Sequence, residues 1–356
     1  MKKTEFTAKE RLDRLINKGR AHLYKPIQIA EVLYRHRVHH DVEIDRLDTY
    51  RRDSTRWRNE VCERLIGKTP SLNSRYEDQL FDPAVLPLTA MGDLAKINEP
   101  KAIVETYIYT KLRNRFGTLG QVRELLRTAQ AAGFQLKDFL SFFDDPHLRR
   151  SVDKAYEIIV YSLFDSITRF LGATVTLRVD TSKTQVLKDF EQFVKLVLGV
   201  DPEHPEICQP ARLYRVGTAN AADAGIDMWA NFGPAVQIKH IAVSEQQVSD
   251  IVAGVMADRV IIVCRKAEAK IIDAVLRQVG LKGRIQGFIT EKDLIEWYNL
   301  CMGTKYASTL GKTLLEELNK QFEAEFPLTR VTVFDAFFAE RKYSEKLLTG
   351  DWSCVE

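Results

Sequence analysis

The feature of this sequence that most restricts its fold is a series of short apolar strands in its second half. The stretch ARLYRVGTANAADAGIDMWANFGPAVQIKHIAV predicts a strand, a loop, a second strand, a tight turn and a third strand. The stretches RVIIVC and IQGFIT predict further strands, and helical patterns separate and follow them: EQQVSDIVAGVM, KAEAKIIDAVLRQVG and EKDLIEWYNLC. A hairpin followed by alternating helices and strands is typical of a mixed α/β sheet.

A long helix is predicted before these strands. The stretch SVDKAYEIIVYSLFDSITRFLG is strongly apolar at helical spacing and closes at Gly172, and ATVTLRV then alternates like a strand. Glu157 lies within the helix, one turn from Tyr161, on a face that we expect to be buried. A buried carboxylate there needs a cation or a hydrogen-bonding partner.

The first 150 residues predict helices instead of strands. KPIQIAEVLYRHR starts with Pro26 near its beginning, Gly67 would end the helix DTYRRDSTRWRNEVCERLIGK, and Gly117 would end AIVETYIYTKLRNRFG. Residues 69–100 contain four prolines and are predicted to be irregular. We therefore expect a mainly helical region at 1–150, an α/β core at 151–302 and a helical extension at 303–356 that packs on the core.

The charge and composition of the chain restrict the kinds of partner and compartment that we expect for it. Residues 1–68 carry 17 Lys and Arg against 11 Asp and Glu, although the net charge of the 356-residue chain is only +3. Such a basic segment either faces a polyanion or is simply a solvated helical face. The five cysteines are scattered singly, as expected for free thiols in a reducing cytoplasm. No stretch has the length and apolarity of a membrane helix, and the first residues do not form a secretory signal.

Three polar residues on the predicted hairpin form a candidate catalytic site. Gln237 and Lys239 point to one face of their strand, and an antiparallel hairpin can place Asp227 beside them. Two or three hard oxygens at such a place can hold Mg²⁺, which polarises a phosphate and activates water. A lysine beside the ion can orient that water or stabilise charge on the phosphoryl group. The chemistry that this cluster favours is phosphodiester hydrolysis.

The arrangement of helix, hairpin and α/β crossover resembles the PD-(D/E)XK nuclease superfamily, with Gln237 in place of an acidic residue. An amide oxygen is a poorer Mg²⁺ ligand than a carboxylate, so another anion is needed. Glu157 is our first candidate and Asp223, in NAADAGID, is the second. The plainer interpretations remain open: Glu157 would pair with an arginine in the core, Asp223 would cap a loop, and Gln237 would only bond within the hairpin.

A resemblance to a narrower family rests on five long stretches: KGRAHLYKPIQIAEVLY, LDTYRRDSTRWRNEVCERLIG, SVDKAYEIIVYSLFD, RVGTANAADAGIDMWANFGPAVQIKH and ADRVIIVCRKAE. Together these stretches, between residue 18 and about 300, resemble the HaeII family of type II restriction endonucleases. The resemblance implies a Mg²⁺-dependent homodimer that cuts both strands of a palindromic double-stranded DNA site with a GCGC core. It also implies 5′-phosphate and 3′-hydroxyl ends, a bacterial cytoplasmic location and a cognate DNA methyltransferase in the host.

DNA contacts are expected from arginines, since arginine is the usual reader of guanine. The candidates are Arg51, Arg52, Arg56, Arg58, Arg212, Arg215 and Asn220. Each could equally bind a phosphate or face water, and phosphate contact is the commoner outcome. Two further functions stay open from the residues alone: a repair or structure-specific nuclease, and a non-catalytic DNA-binding protein whose glutamine marks a decayed site.

Overall fold

A computed structural model of the protein describes residues 6–19, 22–69, 80–99, 101–145, 148, 151–216, 226–243, 257, 259–267, 285–326 and 331–354. The chain divides into two compact units. The first unit comprises Met1–Thr128, Asp138–Val152 and Phe322–Glu356, and the second comprises Ala129–Lys137 and Asp153–Gln321. The boundaries that the sequence suggests at 150 and 302 stay a prediction.

The described helices and strands are numbered here in chain order. The helices are α1 (Ala8–Lys18), α2 (Tyr24–Tyr34), α3 (Asp53–Ile66), α4 (Leu88–Asn98), α5 (Ile103–Thr128), α6 (Leu136–Ser141), α7 (Val152–Phe170), α8 (184–198), α9 (Glu291–Met302), α10 (Lys312–Glu325) and α11 (Val331–Arg341). Helix α8 joins Thr184–Asp189, Glu191–Phe193 and a π-helical turn at Val194–Leu198. The strands are β1 (Thr174–Arg178), β2 (Glu206–Pro210), β3 (Leu213–Arg215), β4 (Met228–Ala230), β5 (Pro234–Val243), β6 (Arg259–Ala267) and β7 (Ile285–Thr290).

Two helix predictions in the first unit are wrong. Helix α5 continues past Gly117 to Thr128, because the buried stripe goes on through Leu119, Val122 and Leu126. The burial of these side chains outweighs the cost of about 1 kcal/mol for a glycine inside a helix. Residues 88–98, expected to be irregular, form α4, with Pro87 directly before its first turn.

Two buried carboxylates tie the first unit together. Glu105 accepts hydrogen bonds from Nε and Nη2 of Arg37, each at 2.9 Å, and from the Tyr343 hydroxyl at 2.7 Å. Glu31 pairs with Arg341 at 3.1 Å. Because Arg341 and Tyr343 lie in or just after α11, the C-terminal segment completes the buried bonding of the N-terminal helices.

The five-stranded sheet of the second unit has the order β3-β4-β5-β6-β7. Strands β3, β4 and β5 run antiparallel, whereas β5, β6 and β7 are parallel. The mixed α/β fold class, with its hairpin and its strands RVIIVC and IQGFIT, is therefore confirmed. The helices predicted at EQQVSDIVAGVM and KAEAKIIDAVLRQVG lie outside the described residues.

Helix α7 packs in the second unit together with α9. The buried Tyr298 hydroxyl of α9 donates to the Ile159 carbonyl of α7 at 3.0 Å. Thr290 ends β7 and caps α9 by accepting from the Asp293 amide, while the Asp293 carboxylate accepts from the Thr290 amide at 2.7 Å. The long predicted helix is confirmed at α7, which ends just before Gly172 (φ +62°).

Strand β1, predicted from ATVTLRV, belongs to a separate two-stranded sheet with β2. Leu187 and Val194 of α8, together with Val200, form a small apolar cluster that includes Ile207 of β2. Neither α8 nor β2 was predicted from the sequence. We refer to this part of the second unit, residues 174–210, as the β1–β2 module.

The turn of the β4–β5 hairpin depends on one glycine. Gly233 has φ +112°, and an added Cβ would lie 2.7 Å from Nη2 of Arg259. The Arg259 guanidinium donates to the Phe232 carbonyl, and Asn231 bonds to the Arg212 amide at 2.9 Å. Only a residue without a side chain meets both demands at position 233.

Candidate active site

Asp227 lies where three strands meet. Its carbonyl accepts from the Val216 amide and its amide donates to the Val236 carbonyl, each at 3.0 Å. One carboxylate oxygen accepts from the Ile238 amide at 2.7 Å, which fixes the side chain against β5. The carboxylate keeps acceptor capacity for a cation.

The β4–β5 register places Asp227 beside Gln237. Met228 pairs with Val236, so one step further along the antiparallel ladder Asp227 is opposite Gln237. Gln237 and Lys239 share one face of β5, while the buried side chains of Val236 and Ile238 point to the other. The ladder to β6 shifts register between Lys239 and Ala242. Register irregularities of this kind are common next to active sites.

Gln237 has the properties expected of a ligand for a cation. Its side chain is buried, and its Oε1 has no hydrogen-bond partner within the described part of the chain. A buried amide oxygen without a partner costs free energy unless an ion or water satisfies it. Asp227 and Gln237 together therefore supply a carboxylate and an amide oxygen of the type that Mg²⁺ prefers.

Burial dominates the electrostatics of the site. It raises the pKa of Asp227, although the Ile238 amide and then the charge of Lys239 act in the opposite direction. Lys239 is half-buried. Asp153, on the first turn of α7, also acts on Asp227 and raises its pKa. A buried carboxylate whose charge is poorly compensated is the kind of group that a divalent cation stabilises.

Glu157 is buried and paired. Both of its oxygens lie 2.6 Å from the Lys154 ammonium, and Arg215 approaches to 3.6 Å. Burial raises its pKa, the bonds to Lys154 lower it, and the neighbouring Asp227 charge raises it. Glu157 is therefore electrostatically close to the candidate metal ligands, but it already has a cation.

Lys154 and Asp153 were not among the predicted site residues. The Lys154–Glu157 pair has the i,i+3 spacing at which helical side chains meet, so the letters KAYE contained the signal. Asp153 is four residues before Glu157 and is exposed. A stacked aromatic pair was also missed: the rings of Tyr214 and Trp229 lie 4.4 Å apart, and both are partly exposed. Trp229 shares the strand face of Asp227, two residues away.

The predicted DNA-contact residues have different surroundings. Arg51, Arg52 and Arg56 are exposed on the first unit, and Arg212 is exposed on the second. Arg58 is buried, where it donates to Asn59 at 2.8 Å and to Gln28 at 3.3 Å. Arg215 donates to Gln321 at 2.9 Å in addition to its contact with Glu157.

Two predicted residues, Asn220 and Asp223, lie outside the described residues, as does the side chain of His240. Among the residues that the structure does describe, no three His, Cys, Asp or Glu side chains form a group that could hold a metal ion. Within the same residues, no helix is long and apolar enough to cross a membrane.

Comparison with known proteins decides the family. The sequence profile of the HaeII restriction endonuclease family matches residues 8–343. The chain belongs to this family. It is 41% identical over 342 residues to the type II restriction enzyme HaeII of Haemophilus aegyptius, covering 96% of this chain and 97% of that protein. It is 40% identical over 325 residues to the type II restriction enzyme NgoBI of Neisseria gonorrhoeae, covering 91% and 92% of the two chains.

No solved structure matches the chain. The predicted resemblance to the HaeII family is confirmed by the profile and by both relatives. The predicted enzyme class, a type II restriction endonuclease, is confirmed with it. Members of this family are restriction endonucleases, so the polar cluster on the hairpin is the candidate catalytic site.

Proposed function

We propose that this protein cleaves both strands of a short palindromic double-stranded DNA site with a GCGC core, leaving 5′-phosphate and 3′-hydroxyl ends. The observation that carries the proposal is the cluster of half-buried Asp227 and Lys239 around the buried Gln237 on the β4–β5 hairpin of a chain from this family. The GCGC core and the end chemistry rest on the family resemblance.

Mg²⁺ is the proposed cofactor, and the residues present fit it. Asp227 and Gln237 would hold the ion through a buried carboxylate and a buried amide oxygen that has no described partner. The bound metal would polarise the phosphate and activate water. Lys239 stabilises negative charge on the phosphoryl group or orients the attacking water.

Glu157 is the proposed source of the charge that Gln237 lacks. For Glu157 to act as a ligand, the Lys154 ammonium must leave at least one of its oxygens. Asp223 stays a second candidate for the same role, outside the described residues. The alternative is that Glu157 is structural and forms an ion pair within the core. Its contacts with Lys154 and Arg215 are the observation that supports this alternative.

The proposed DNA contacts are the exposed arginines. Arg51, Arg52 and Arg56 on the first unit and Arg212 on the second are accessible to phosphates or base edges. Arg58 and Arg215 are occupied inside the protein, so we leave them out of the contact set. Asn220 is kept as a candidate. The exposed Tyr214–Trp229 pair, on the face that carries Asp227, is a further surface for DNA next to the cleaved bond.

A palindromic target is matched by a two-fold symmetric protein, so we propose a homodimer. A cognate DNA methyltransferase in the same host would protect the host's own sites. We place the enzyme with its DNA in the bacterial cytoplasm, where the five free cysteines fit a reducing compartment.

The deciding experiment is digestion of plasmid DNA with purified protein and Mg²⁺. Discrete fragments that end at one palindromic sequence are the expected result. Asp227→Asn and Lys239→Ala should each reduce the cleavage rate by at least about a thousandfold while DNA binding persists. The exposed Asp138→Asn and Lys183→Ala serve as matched controls and should cut like the wild type.

Other outcomes identify the alternatives. Cleavage confined to damaged or branched DNA would replace the proposal with a repair or structure-specific nuclease. Binding without any cleavage, unaffected by Asp227→Asn, would replace it with a non-catalytic DNA-binding protein.

A further inference from the structure

Helix α8 of the β1–β2 module has two apolar stripes. The inner stripe, Leu187 and Val194, is buried in the module's own small core. The second stripe consists of Val186, Phe190, Phe193 and Val197, which are 54%, 60%, 55% and 62% exposed. We call these four residues the outer seam.

The outer seam runs through all three parts of α8. Phe190 has a non-helical backbone (φ −112°, ψ 27°) between the first two parts. The Phe190 amide donates to the Val186 carbonyl at 3.0 Å, and the Val194 amide donates to the Phe190 carbonyl at 2.9 Å, so hydrogen bonds connect the parts across this residue. The four side chains are separated by four, three and four residues. This is the spacing of the apolar positions in a coiled-coil seam, which packs against another helix.

The outer seam is as large as the largest apolar patch of a typical monomer. Four large side chains at these exposures present roughly 450 Å² of apolar surface, and a patch of this size is often functional. A standard interface covers about 800 Å² on each partner. The outer seam would therefore form the centre of an interface, and Leu196 of the same helix is 76% exposed.

The order of side chains in the outer seam points to a second copy of this chain. In an antiparallel pair of α8 helices related by a two-fold axis between Glu191 and Gln192, Val186 is opposite Val197 and Phe190 is opposite Phe193. Small side chains then face small ones and large side chains face large ones. Self-complementarity of one surface is the requirement of a two-fold symmetric dimer.

The charge of the helix argues against other occupants. Residues 184–198 contain two lysines and two acidic residues, so they carry no net charge. A surface for DNA or for an acidic membrane would be expected to carry an excess of cations. We propose that the outer seam is a dimer interface in which two copies of α8 pair antiparallel. This inference specifies the homodimer proposed above, and its test requires neither DNA nor cleavage.

Sedimentation velocity of the full chain without DNA or metal tests the interface. The wild type should be a dimer at micromolar concentration, and Phe190→Asp with Phe193→Asp should shift it to a monomer. Leu300→Asp, at a 64% exposed apolar residue of α9, is the matched control and should stay dimeric. Circular dichroism checks that the seam variant remains folded.

Cysteine cross-linking tests the antiparallel pairing independently of that variant. In a Cys208→Ser background, Val186→Cys combined with Val197→Cys should give an intermolecular disulfide under mild oxidation. Val186→Cys alone should not, because antiparallel helices hold its two copies about 16 Å apart along the axis.

Four results would overturn the inference. A monomeric wild type removes the homodimer and the interface together, whereas a dimer that survives the Phe190 and Phe193 changes removes the interface alone. Cross-linking of Val186→Cys by itself contradicts the antiparallel arrangement. Seam-dependent binding of a monomeric wild type to neutral phosphatidylcholine vesicles would assign the surface to a membrane instead.

Discussion

The Lys154 ammonium lies 2.6 Å from both carboxylate oxygens of Glu157, inside the second unit and next to the candidate metal ligands. Lys154 and Mg²⁺ would therefore compete for the carboxylate of Glu157. If Glu157 is a metal ligand, Mg²⁺ must displace Lys154, and removing the lysine should help the metal.

We therefore expect opposite effects from the two partners. Glu157→Gln should raise the Mg²⁺ concentration for half-maximal cleavage by about tenfold or more, and Lys154→Met should lower it. The double variant should behave like Glu157→Gln. Mg²⁺ titrations of single-turnover cleavage measure all three. Equal Mg²⁺ dependence in every variant, with loss of thermal stability only, would make Glu157 a structural residue.

Asp227 should make Mg²⁺ binding depend on pH. Burial raises its pKa, so in the folded protein the proton competes with the metal above the ordinary carboxyl range. Mg²⁺ affinity should rise as the pH increases from about 4 and level off once the raised pKa is passed. Calorimetric titration of the DNA-free protein measures this, and Asp227→Asn should abolish the affinity together with its pH dependence.

The raised pKa of Asp227 also determines how the stability of the metal-free protein changes with pH. The folded state holds the Asp227 proton more tightly than the unfolded chain does, so this group favours folding at low pH. Its contribution is lost as the pH rises from the ordinary carboxyl value to the raised one. Asp227→Asn should therefore gain free energy of unfolding relative to the wild type at neutral pH, measured by urea denaturation with a chelator present.

Gln237→Glu should introduce the carboxylate of the PD-(D/E)XK pattern that the sequence resembles, and it should lower stability without metal. Position 237 is buried beside Asp227, and a second carboxylate there repels the first when no metal is bound. The melting temperature in chelator should fall, while its increase on adding Mg²⁺ should exceed that of the wild type. Differential scanning calorimetry compares the two. An unchanged Mg²⁺-dependent increase would mean that position 237 does not contact the ion.

Gly233→Ala should weaken the hairpin that carries the site. The positive φ and the nearby Arg259 guanidinium both oppose a side chain, and we expect a loss of about 1–3 kcal/mol in the free energy of unfolding. Gly287→Ala in β7 is the matched control, because nothing lies within 4 Å of its added Cβ. Similar denaturation midpoints for the two variants would refute the argument.

The arginines of α3 and its first turn should separate into two classes. Arg58→Met should cost roughly 1–3 kcal/mol of stability because it leaves buried Gln28 without a donor. Arg52→Gln should leave stability unchanged and reduce the salt dependence of DNA binding by about one phosphate contact. Thermal melts and salt titrations of binding distinguish them. The reverse pattern would contradict the assigned surroundings.

Much of the second unit could be predicted because its signals are local. The alternation of polar and apolar residues along β5 and the apolar sequences of β6 and β7 predict these strands directly. The position of Asp227 opposite Gln237 follows from the length of one hairpin. The end of α5 could not be predicted from Gly117, since the burial of Leu119 and Val122 depends on distant partners.

The geometry of the candidate site could be predicted for its hairpin residues but not for the residues that neutralise Glu157. The strand pattern brings Gln237 and Lys239 to one face, whereas the neutralisation of Glu157 by Lys154 and Arg215 depends on how α7 packs. Helix α8 of the β1–β2 module was not predicted because it carries two apolar stripes, which blur the single periodicity that predicts an amphipathic helix.

The bonds from Arg341 to Glu31 and from Tyr343 to Glu105 give the chain an order of assembly. During synthesis, α1 to α5 leave the ribosome first, yet two of their buried carboxylates, Glu31 and Glu105, bond to residues made 310 and 238 positions later. The unit that is started first is thus finished last. In a ribosome-bound chain that stops short of Arg341, the carboxylates of Glu31 and Glu105 lack these hydrogen-bond partners. The first unit can therefore complete its buried hydrogen bonds only when nearly all of the chain has been synthesised.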